Sequence, residues 1–298
     1  MPKIRETGDL LTEKINPNTL DIDTRSTDDV VNTIISEDSL ISSAISAQKN
    51  NISNAVDLIT DTLGIGGRLF FVGAGTSGRL GVIEAAECPP TFGTDPEMIQ
   101  AIIAGGNEAI TKSIEGAEDS REDSVNELKK RSLTSKDILV GIAASSSTPF
   151  VQSAIEYSKE IGTKTVLITC NPVAGNTPDI TISLLVGPEV IVGSTRLKAG
   201  TATKMVLNIL TTASMIRLGK TYGNLMVDVQ PKSSKLRDRA IRIVIELCGI
   251  DSIKAQEILE STGWNVKASV IMIKKNIDLP EALSLLEKNK GFLKNALL

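Results

Sequence analysis

The residues best suited to chemistry form a glycine-rich turn, G-A-G-T-S-G, at Gly73–Gly78. An apolar run, Leu69–Val72, precedes the turn and predicts a buried strand, and helical spacing follows it. A strand, a turn and a helix N-terminus together present backbone N–H groups and a positive dipole, and the hydroxyl groups nearby are further donors. We therefore expect a phosphate-binding turn, with these residues as ligands: Gly75, Thr76, Ser77 and Gly78.

Two better-known glycine motifs do not fit this turn. Its spacing is that of the dinucleotide motif G-x-G-x-x-G, but no clear acidic residue ends a second strand about twenty positions later. A P-loop requires Gly-Lys-Ser/Thr, and here Gly78 is followed by Arg79. The glycines alone are equally compatible with a tight strand-to-helix turn that binds no ligand.

A second hydroxyl-rich segment, S-S-S-T-P, follows another predicted strand, Asp137–Ala143. If the two strands are adjacent and parallel, both polar segments lie at the same edge of the sheet. Two such groups of hydroxyl and amide donors would suit a phosphomonoester or a sugar phosphate. From this segment we expect Ser145, Ser147 and Thr148 to be substrate-binding residues.

The composition restricts both the chemistry and the class of partner. The 298 residues include no histidine, which excludes histidine general bases, Ser-His-Asp triads and zinc sites that use histidine. The net charge of −4 and an aromatic content of 3% argue against nucleic-acid binding. Three isolated cysteines, no apolar signal core and no membrane-length apolar run predict a cytoplasmic protein without membrane contact.

Alternating strand and helix patterns predict an α/β fold with a doubly wound parallel sheet flanked by helices. Helices are expected before the sheet, with an N-cap at Ser26 or Thr27, and Pro89-Pro90 is expected to end the helix that follows the glycine-rich turn. A small helical bundle resembling ubiquitin-associated modules is expected at the C-terminus. The predicted domains are residues 1–54, 55–230 and 231–298.

Several longer motifs resemble a known family. The pair G-A-G-T-S-G-R-L and A-S-S-S-T-P is similar to the sugar isomerase (SIS) domain. G-R-L-G-V-I-E-A-A-E-C-P-P-T-F-G, E-G-A-E-D-S, G-S-T-R-L-K-A-G-T-A-T-K-M-V-L-N and G-N-L-M-V-D-V resemble the N-acetylmuramic acid 6-phosphate etherases. The resemblance extends from about Thr12 to the C-terminus.

The resemblance implies a reaction and two catalytic residues. These etherases split the D-lactyl ether of N-acetylmuramate 6-phosphate into N-acetylglucosamine 6-phosphate and D-lactate, without a metal or other cofactor. Glu87 matches the family's proton donor, and Glu118 matches the second catalytic glutamate, expected to be the base. Ser146 and Ser147 stand where the family has glycine and arginine. The changes imply a strained turn and the loss of a cation near the substrate.

Further expectations concern cations, assembly and alternative functions. Arg196 and Lys198 are expected to contact the substrate. The SIS resemblance, together with a long apolar helix, predicts a homodimer with its active site near the subunit interface. Two alternatives remain: a phosphosugar-binding regulator similar to the glucokinase regulatory protein, and an aldose–ketose isomerase.

Overall fold

The computed structural model describes residues 9–173, 178–229, 231 and 233–298. The chain divides into two compact units. Residues up to Ala85 together with Glu97–Thr211 form the first unit, and Ala86–Pro96 together with Thr212–Leu298 form the second. The domain boundary predicted at residue 230 lies outside the described residues.

The N-terminal part of the first unit is helical, as predicted. Three short 3-10 turns lead to α1, whose N-cap is Ser26: its side chain accepts a hydrogen bond from the Asp29 N–H at 3.2 Å. The apolar pattern that follows forms two helices, separated at Gln48. The helices are α1 (Thr27–Asp38), α2 (Ile41–Ala47) and α3 (Lys49–Gly64).

A five-stranded parallel sheet forms the centre of the first unit, which confirms the predicted α/β class. Its strands are in the order β2-β1-β3-β4-β5. Their apolar runs are almost continuous because helices cover both faces of a sheet of this kind. The strands are β1 (Leu69–Gly73), β2 (Ile99–Ile103), β3 (Ile138–Ile142), β4 (Lys164–Thr169) and β5 (Ile180–Ser183).

The register of the sheet determines where the functional segments meet. β1 pairs directly with β3, with Gly73 opposite Ile142. The glycine-rich turn and the serine-rich loop therefore leave the sheet side by side, at the carboxyl ends of neighbouring strands, which meets the condition on which the expectation of a shared site depended. Buried side chains of both strands, among them Phe70 and Leu139, pack with Phe150 in one apolar core.

Four longer helices follow the strands, and one of them differs from the prediction. The expectation that Pro89-Pro90 ends α4 was wrong, because the helix continues to Phe92. Proline removes a hydrogen-bond donor but keeps its carbonyl group, and the Pro89 oxygen accepts from the Gly93 N–H at 3.0 Å. The helices are α4 (Gly75–Phe92), α5 (Arg121–Lys130), α6 (Pro149–Glu160) and α7 (Lys198–Arg217).

The C-terminal part of the second unit is a helical bundle, which agrees with the sequence prediction. Small and branched side chains that include Ala240, Val244, Leu259 and Val270 form its buried core. A short antiparallel hairpin that was not predicted, β6 (Thr221–Tyr222) and β7 (Leu225–Met226), precedes it. The helices are α8 (Ser234–Cys248), α9 (Ser252–Ser261), α10 (Val266–Lys275), α11 (Leu279–Lys288) and α12 (Leu293–Leu297).

None of the helices in the described parts of the chain has the length and apolar character needed to cross a bilayer.

Candidate active site

A cavity of about 240 Å³ lies where the glycine-rich turn and the serine-rich loop meet. Both segments follow the carboxyl ends of strands, where ligands bind in doubly wound folds. The N-terminal arm and the start of α7 complete its walls. The lining residues are Thr12, Glu13, Ala74, Gly75, Thr76, Ser77, Glu118, Ala144, Ser145, Thr148, Thr195, Ala199, Gly200 and Thr203.

The glycines of the first turn are required by close packing. A Cβ at Gly78 would lie 2.5 Å from Ile103 and 2.7 Å from the Gly73 oxygen, so α4 could not approach the sheet as it does. Gly75 has a φ of +52° and begins α4. Thr76 and Ser77 therefore lie in the first helical turn, where backbone N–H groups have no partner within the helix. This is the geometry of an anion-binding site.

The second loop contributes hydroxyl groups. The Ser145 side chain accepts from the Ser147 N–H at 3.2 Å and lies 3.4 Å from the Thr148 hydroxyl. Ser145 and Thr148 line the cavity, whereas Ser147 is exposed and is not among the lining residues. The structure thus brings Gly75, Thr76, Ser77, Ser145 and Thr148 together at one cavity. Gly78 is buried at the end of the turn and does not line the cavity.

Ser146, which stands where the family has a glycine, has a strained backbone conformation. Its φ is +64°, in the left-handed region that side chains with a Cβ rarely adopt. The residue is also buried, at 8% exposure. Its backbone oxygen accepts a hydrogen bond from the Gln152 side chain at 2.5 Å, which a glycine would retain.

We therefore expect Ser146→Gly to stabilise the protein by about 0.5–1 kcal/mol, because relief of left-handed strain exceeds the entropic cost of glycine. Urea unfolding would measure the change as a shift of the midpoint. Ser147→Gly is the matched control, because Ser147 is not among the residues with positive φ. A Ser146→Gly variant that unfolds at a lower urea concentration than the wild type would contradict this account.

Glu118 reaches the cavity on a short 3-10 turn, Ala117–Asp119. Gly116, with a φ of +75°, precedes this turn and allows the chain to reverse. The segment before it is held by Arg79 on α4, whose guanidinium donates to the backbone oxygens of Ala109 and Lys112 at 3.1 and 2.8 Å. The first turns of α4 therefore both line the cavity and support the segment that carries Glu118.

Glu87 lies further along α4 and is exposed. It is not among the residues that line the cavity. The buried carboxylate of α4 is instead Glu84, at 5% exposure, which accepts from Lys204 at 2.5 Å and from the Thr211 hydroxyl. Glu84 was not among the residues that the sequence predicted for the site.

The two predicted cations are in different environments. Arg196 is exposed and does not line the cavity. Lys198 is buried, at 2% exposure, and its ammonium group forms an ion pair with Glu37 of α1. Burial alone would raise the pKa of Glu37, but hydrogen bonds from Lys198, Asn18 and Asn16 hold it below its usual range.

The capping of α7 explains how its first turn is placed. Glu189 is fully buried, and its two carboxylate oxygens accept from the backbone N–H groups of Lys198 and Ala199, each at 3.0 Å. Burial raises the pKa of Glu189, although these hydrogen bonds oppose the shift. The capped helix presents Ala199, Gly200 and Thr203 to the cavity.

The N-terminal arm also contributes to the cavity, which the sequence patterns did not predict. Thr12 and Glu13 line the cavity, 60 or more positions before any other lining residue. The fully buried Asn171 connects the arm to the sheet: its oxygen accepts from the Leu11 N–H at 2.6 Å, and its amide donates to Thr12 Oγ1 at 3.0 Å. No periodic pattern could have revealed this pairing.

The charge of the cavity is unusual for a site that would bind phosphate. Its described lining includes two carboxylates, Glu13 and Glu118, and neither lysine nor arginine. Binding of an anion there would depend on backbone N–H groups and hydroxyls. Nowhere in the described ranges do three or more histidine, cysteine, aspartate or glutamate side chains gather closely enough to hold a metal ion.

Comparison with known proteins agrees with the sequence motifs. The family model of the glucokinase regulatory protein N-terminal SIS domain matches residues 51–159, which confirms the SIS-type sheet. The chain is also similar along its length to proteins named N-acetylmuramic acid 6-phosphate etherase. It is 47% identical to that of Clostridioides difficile strain 630 over 296 residues, with 99% of this chain and 97% of that protein covered.

Two further relatives with the same name give the same result. The chain is 47% identical to the protein of Trichodesmium erythraeum strain IMS101, over 299 residues, 100% of this chain and 97% of that one. The protein of Vibrio vulnificus strain YJ016 is 47% identical over 290 residues, 97% of each chain. Identity of this extent over the full length shows that the chain belongs to the N-acetylmuramic acid 6-phosphate etherase family.

Proposed function

We propose that the protein cleaves the D-lactyl ether of N-acetylmuramate 6-phosphate and so acts in the breakdown of cell-wall amino sugars. The products are N-acetylglucosamine 6-phosphate and D-lactate. Besides family membership, one observation supports this proposal. The hydroxyl groups of Ser77 and Ser145, the start of α4 and the Glu118 carboxylate all line one cavity. A phosphate site beside a carboxylate base is what elimination from a sugar phosphate requires.

The reaction needs one base and one acid. In the open-chain sugar, the C2 proton is α to the aldehyde and the lactyl ether oxygen is on C3. We assign removal of the C2 proton to Glu118, which lines the cavity. Protonation of the departing lactyl oxygen is assigned to Glu87 on the family resemblance alone, since Glu87 does not line the cavity. Water then adds to the unsaturated aldehyde. Because the chain has no histidine, carboxylates are the main candidates for both proton transfers.

The substrate-binding assignments follow the same proposal. Phosphate would be bound by the backbone and hydroxyls of Gly75, Thr76, Ser77, Ser145 and Thr148, with Gly78 supporting the turn. Ser147 remains a candidate substrate-binding residue of the same loop, at the position where the family has an arginine. Arg196 is kept as a candidate cation for the substrate, whereas the buried ion pair of Lys198 favours a structural role for that residue.

An assay of D-lactate release would test the proposed activity. We expect lactate from N-acetylmuramate 6-phosphate and at least a hundredfold less from unphosphorylated N-acetylmuramate, because the cavity would then lose its charge-assisted hydrogen bonds to phosphate, worth about 1.5–3 kcal/mol each. Cleavage of both sugars at similar rates would contradict the phosphate assignment. Conversion between aldose and ketose phosphates without lactate release would favour the isomerase alternative, and binding without turnover would favour the regulator.

We also propose that the protein is a homodimer with its active site near the subunit interface. Apolar side chains on α7 support this: Met205 is 37% exposed and Ile209 is 38% exposed. Ile191 and Val192, which precede α7 in the sequence, are also about half exposed. Sedimentation at micromolar concentration should give twice the mass of one chain, and a monomer at that concentration would refute the proposal.

A cytoplasmic location is proposed as well. Within the described residues, Cys88, Cys170 and Cys248 form no disulfide, and burial raises the pKa of the Cys170 thiol to about 12. Cysteines without disulfides are typical of a reducing compartment. Fractionation of the source cells should place the activity with cytoplasmic marker enzymes, and release together with periplasmic markers would contradict this.

A further inference from the structure

The cavity has a carboxylate that the proposed mechanism does not use, Glu13 of the N-terminal arm. The arm is fixed on two sides, because Asn171 binds Leu11 and Thr12 and because the Gly193 N–H donates to the Thr12 oxygen at 3.2 Å. Thr12 is 1% exposed, so this short segment is firmly packed. The position of Glu13 at the cavity wall is therefore set by the fold and not by a free terminus.

The carboxylate of Glu13 packs against Gly193, a residue that has no side chain. A Cβ at Gly193 would lie 2.9 Å from Glu13 Oε2, and Gly193 has a φ of +72°. Because glycine has no Cβ, the Glu13 carboxylate can occupy the space beside residue 193. Glu13 is half-buried, and within the described part of the chain its carboxylate forms neither a hydrogen bond nor an ion pair. Its oxygens are therefore available to accept hydrogen bonds from a molecule bound in the cavity.

We infer that Glu13 contacts the substrate and that its carboxylate accepts hydrogen bonds from hydroxyl groups of the bound sugar. The negative charge of Glu13 favours the sugar hydroxyls as its partners. A carboxylate would repel the phosphate and the lactyl carboxylate, whereas neutral hydroxyls are suitable donors. The same charge would make the cavity discriminate against small anions that have no hydroxyl groups. The inference rests on the proposed function only in taking a sugar phosphate as the ligand.

The test compares two probes by isothermal titration calorimetry, N-acetylglucosamine 6-phosphate and inorganic phosphate. Glu13→Gln should bind the sugar phosphate about tenfold more weakly, and Glu13→Ala about ten- to a hundredfold more weakly. Both variants should bind inorganic phosphate at least as tightly as the wild type, because a repelling charge has been removed. Opposite changes for the two probes are the expected result.

A second route displaces the carboxylate without removing it. Gly193→Ala places a methyl group in the space that Glu13 Oε2 occupies. This variant should also lose affinity for the sugar phosphate more than for inorganic phosphate. Asp9→Asn is the charge-matched control, since Asp9 is an exposed carboxylate of the same arm and does not line the cavity. It should leave both affinities unchanged.

Three results would overturn the inference. Equal weakening of both probes in Glu13→Gln would mean that Glu13 only maintains the shape of the cavity. Unchanged binding of both probes would mean that it does not touch the sugar, and the same effect from Asp9→Asn would mean that only net charge matters. Failure of the proposed function gives a different result: wild-type protein that binds the sugar phosphate and releases no lactate from N-acetylmuramate 6-phosphate.

Discussion

Glu118→Gln should lower the rate of lactate release by about a hundred- to ten-thousand-fold, the usual effect of removing a general base. It should also abolish exchange of the substrate's C2 hydrogen with deuterium oxide, because the same carboxylate would remove that proton. Glutamine keeps the shape of the side chain, and the exposed turn that carries Glu118 should tolerate it. NMR of the C2 proton and of free lactate would follow both events in one sample.

Glu87→Gln should give a different failure. The rate of lactate release should fall by a similar factor to that in Glu118→Gln. Exchange of the C2 hydrogen should continue, because enolisation does not need a protonated leaving group. If Glu87→Gln lost exchange and Glu118→Gln kept it, the two roles would have to be exchanged. Near-normal lactate release by both variants would show that neither residue is catalytic.

Glu115→Gln is the matched control for the Glu118 variant. Glu115 is an exposed glutamate in the same segment, three residues before Glu118, and it does not line the cavity. The substitution removes the same charge from the same segment. It should leave both lactate release and C2 exchange unchanged.

Lys198→Met should destabilise the protein by about 3–5 kcal/mol, the cost of removing one partner from a buried ion pair. The substitution would leave Glu37 charged and 5% exposed, with only Asn16 and Asn18 as donors. Urea unfolding at neutral pH would measure the loss. A normal unfolding midpoint combined with a raised KM would instead assign Lys198 to substrate binding.

A double variant and a change of pH test the electrostatic origin of this effect. Glu37→Gln combined with Lys198→Met removes both charges and should recover part of the stability. The pKa of Glu37 is lowered in the folded protein, so its contribution is present above the unfolded pKa and is lost as the pH falls through the folded value. The difference between Lys198→Met and the wild type should therefore shrink in acid.

Local sequence patterns were sufficient for the strands of the sheet and for the glycine-rich turn. Buried apolar runs identify the strands because both faces of a parallel sheet are covered, and glycine spacing identifies the turn at Gly73–Gly78 because only glycine allows that approach of helix and strand. The pairing of β1 with β3, which brings Ser77 and Ser145 to one cavity, was only a condition at the level of the sequence, and the topology of the sheet decides it. The strain at Ser146 was also foreseen, from its replacement of a glycine.

Other features depend on contacts between distant parts of the chain. The sequence shows that Lys198 is a cation, but only the fold supplies its partner, Glu37, from a helix 161 positions earlier. In the same way, Glu13 reaches the cavity because Asn171 and Gly193 hold the N-terminal arm. Hydrophobic period and turn chemistry act over a few residues, whereas these pairings depend on how separate elements pack. The sequence by itself therefore determined the family, the sheet and the two donor groups, and tertiary packing decided which charges are buried in ion pairs and which face the cavity.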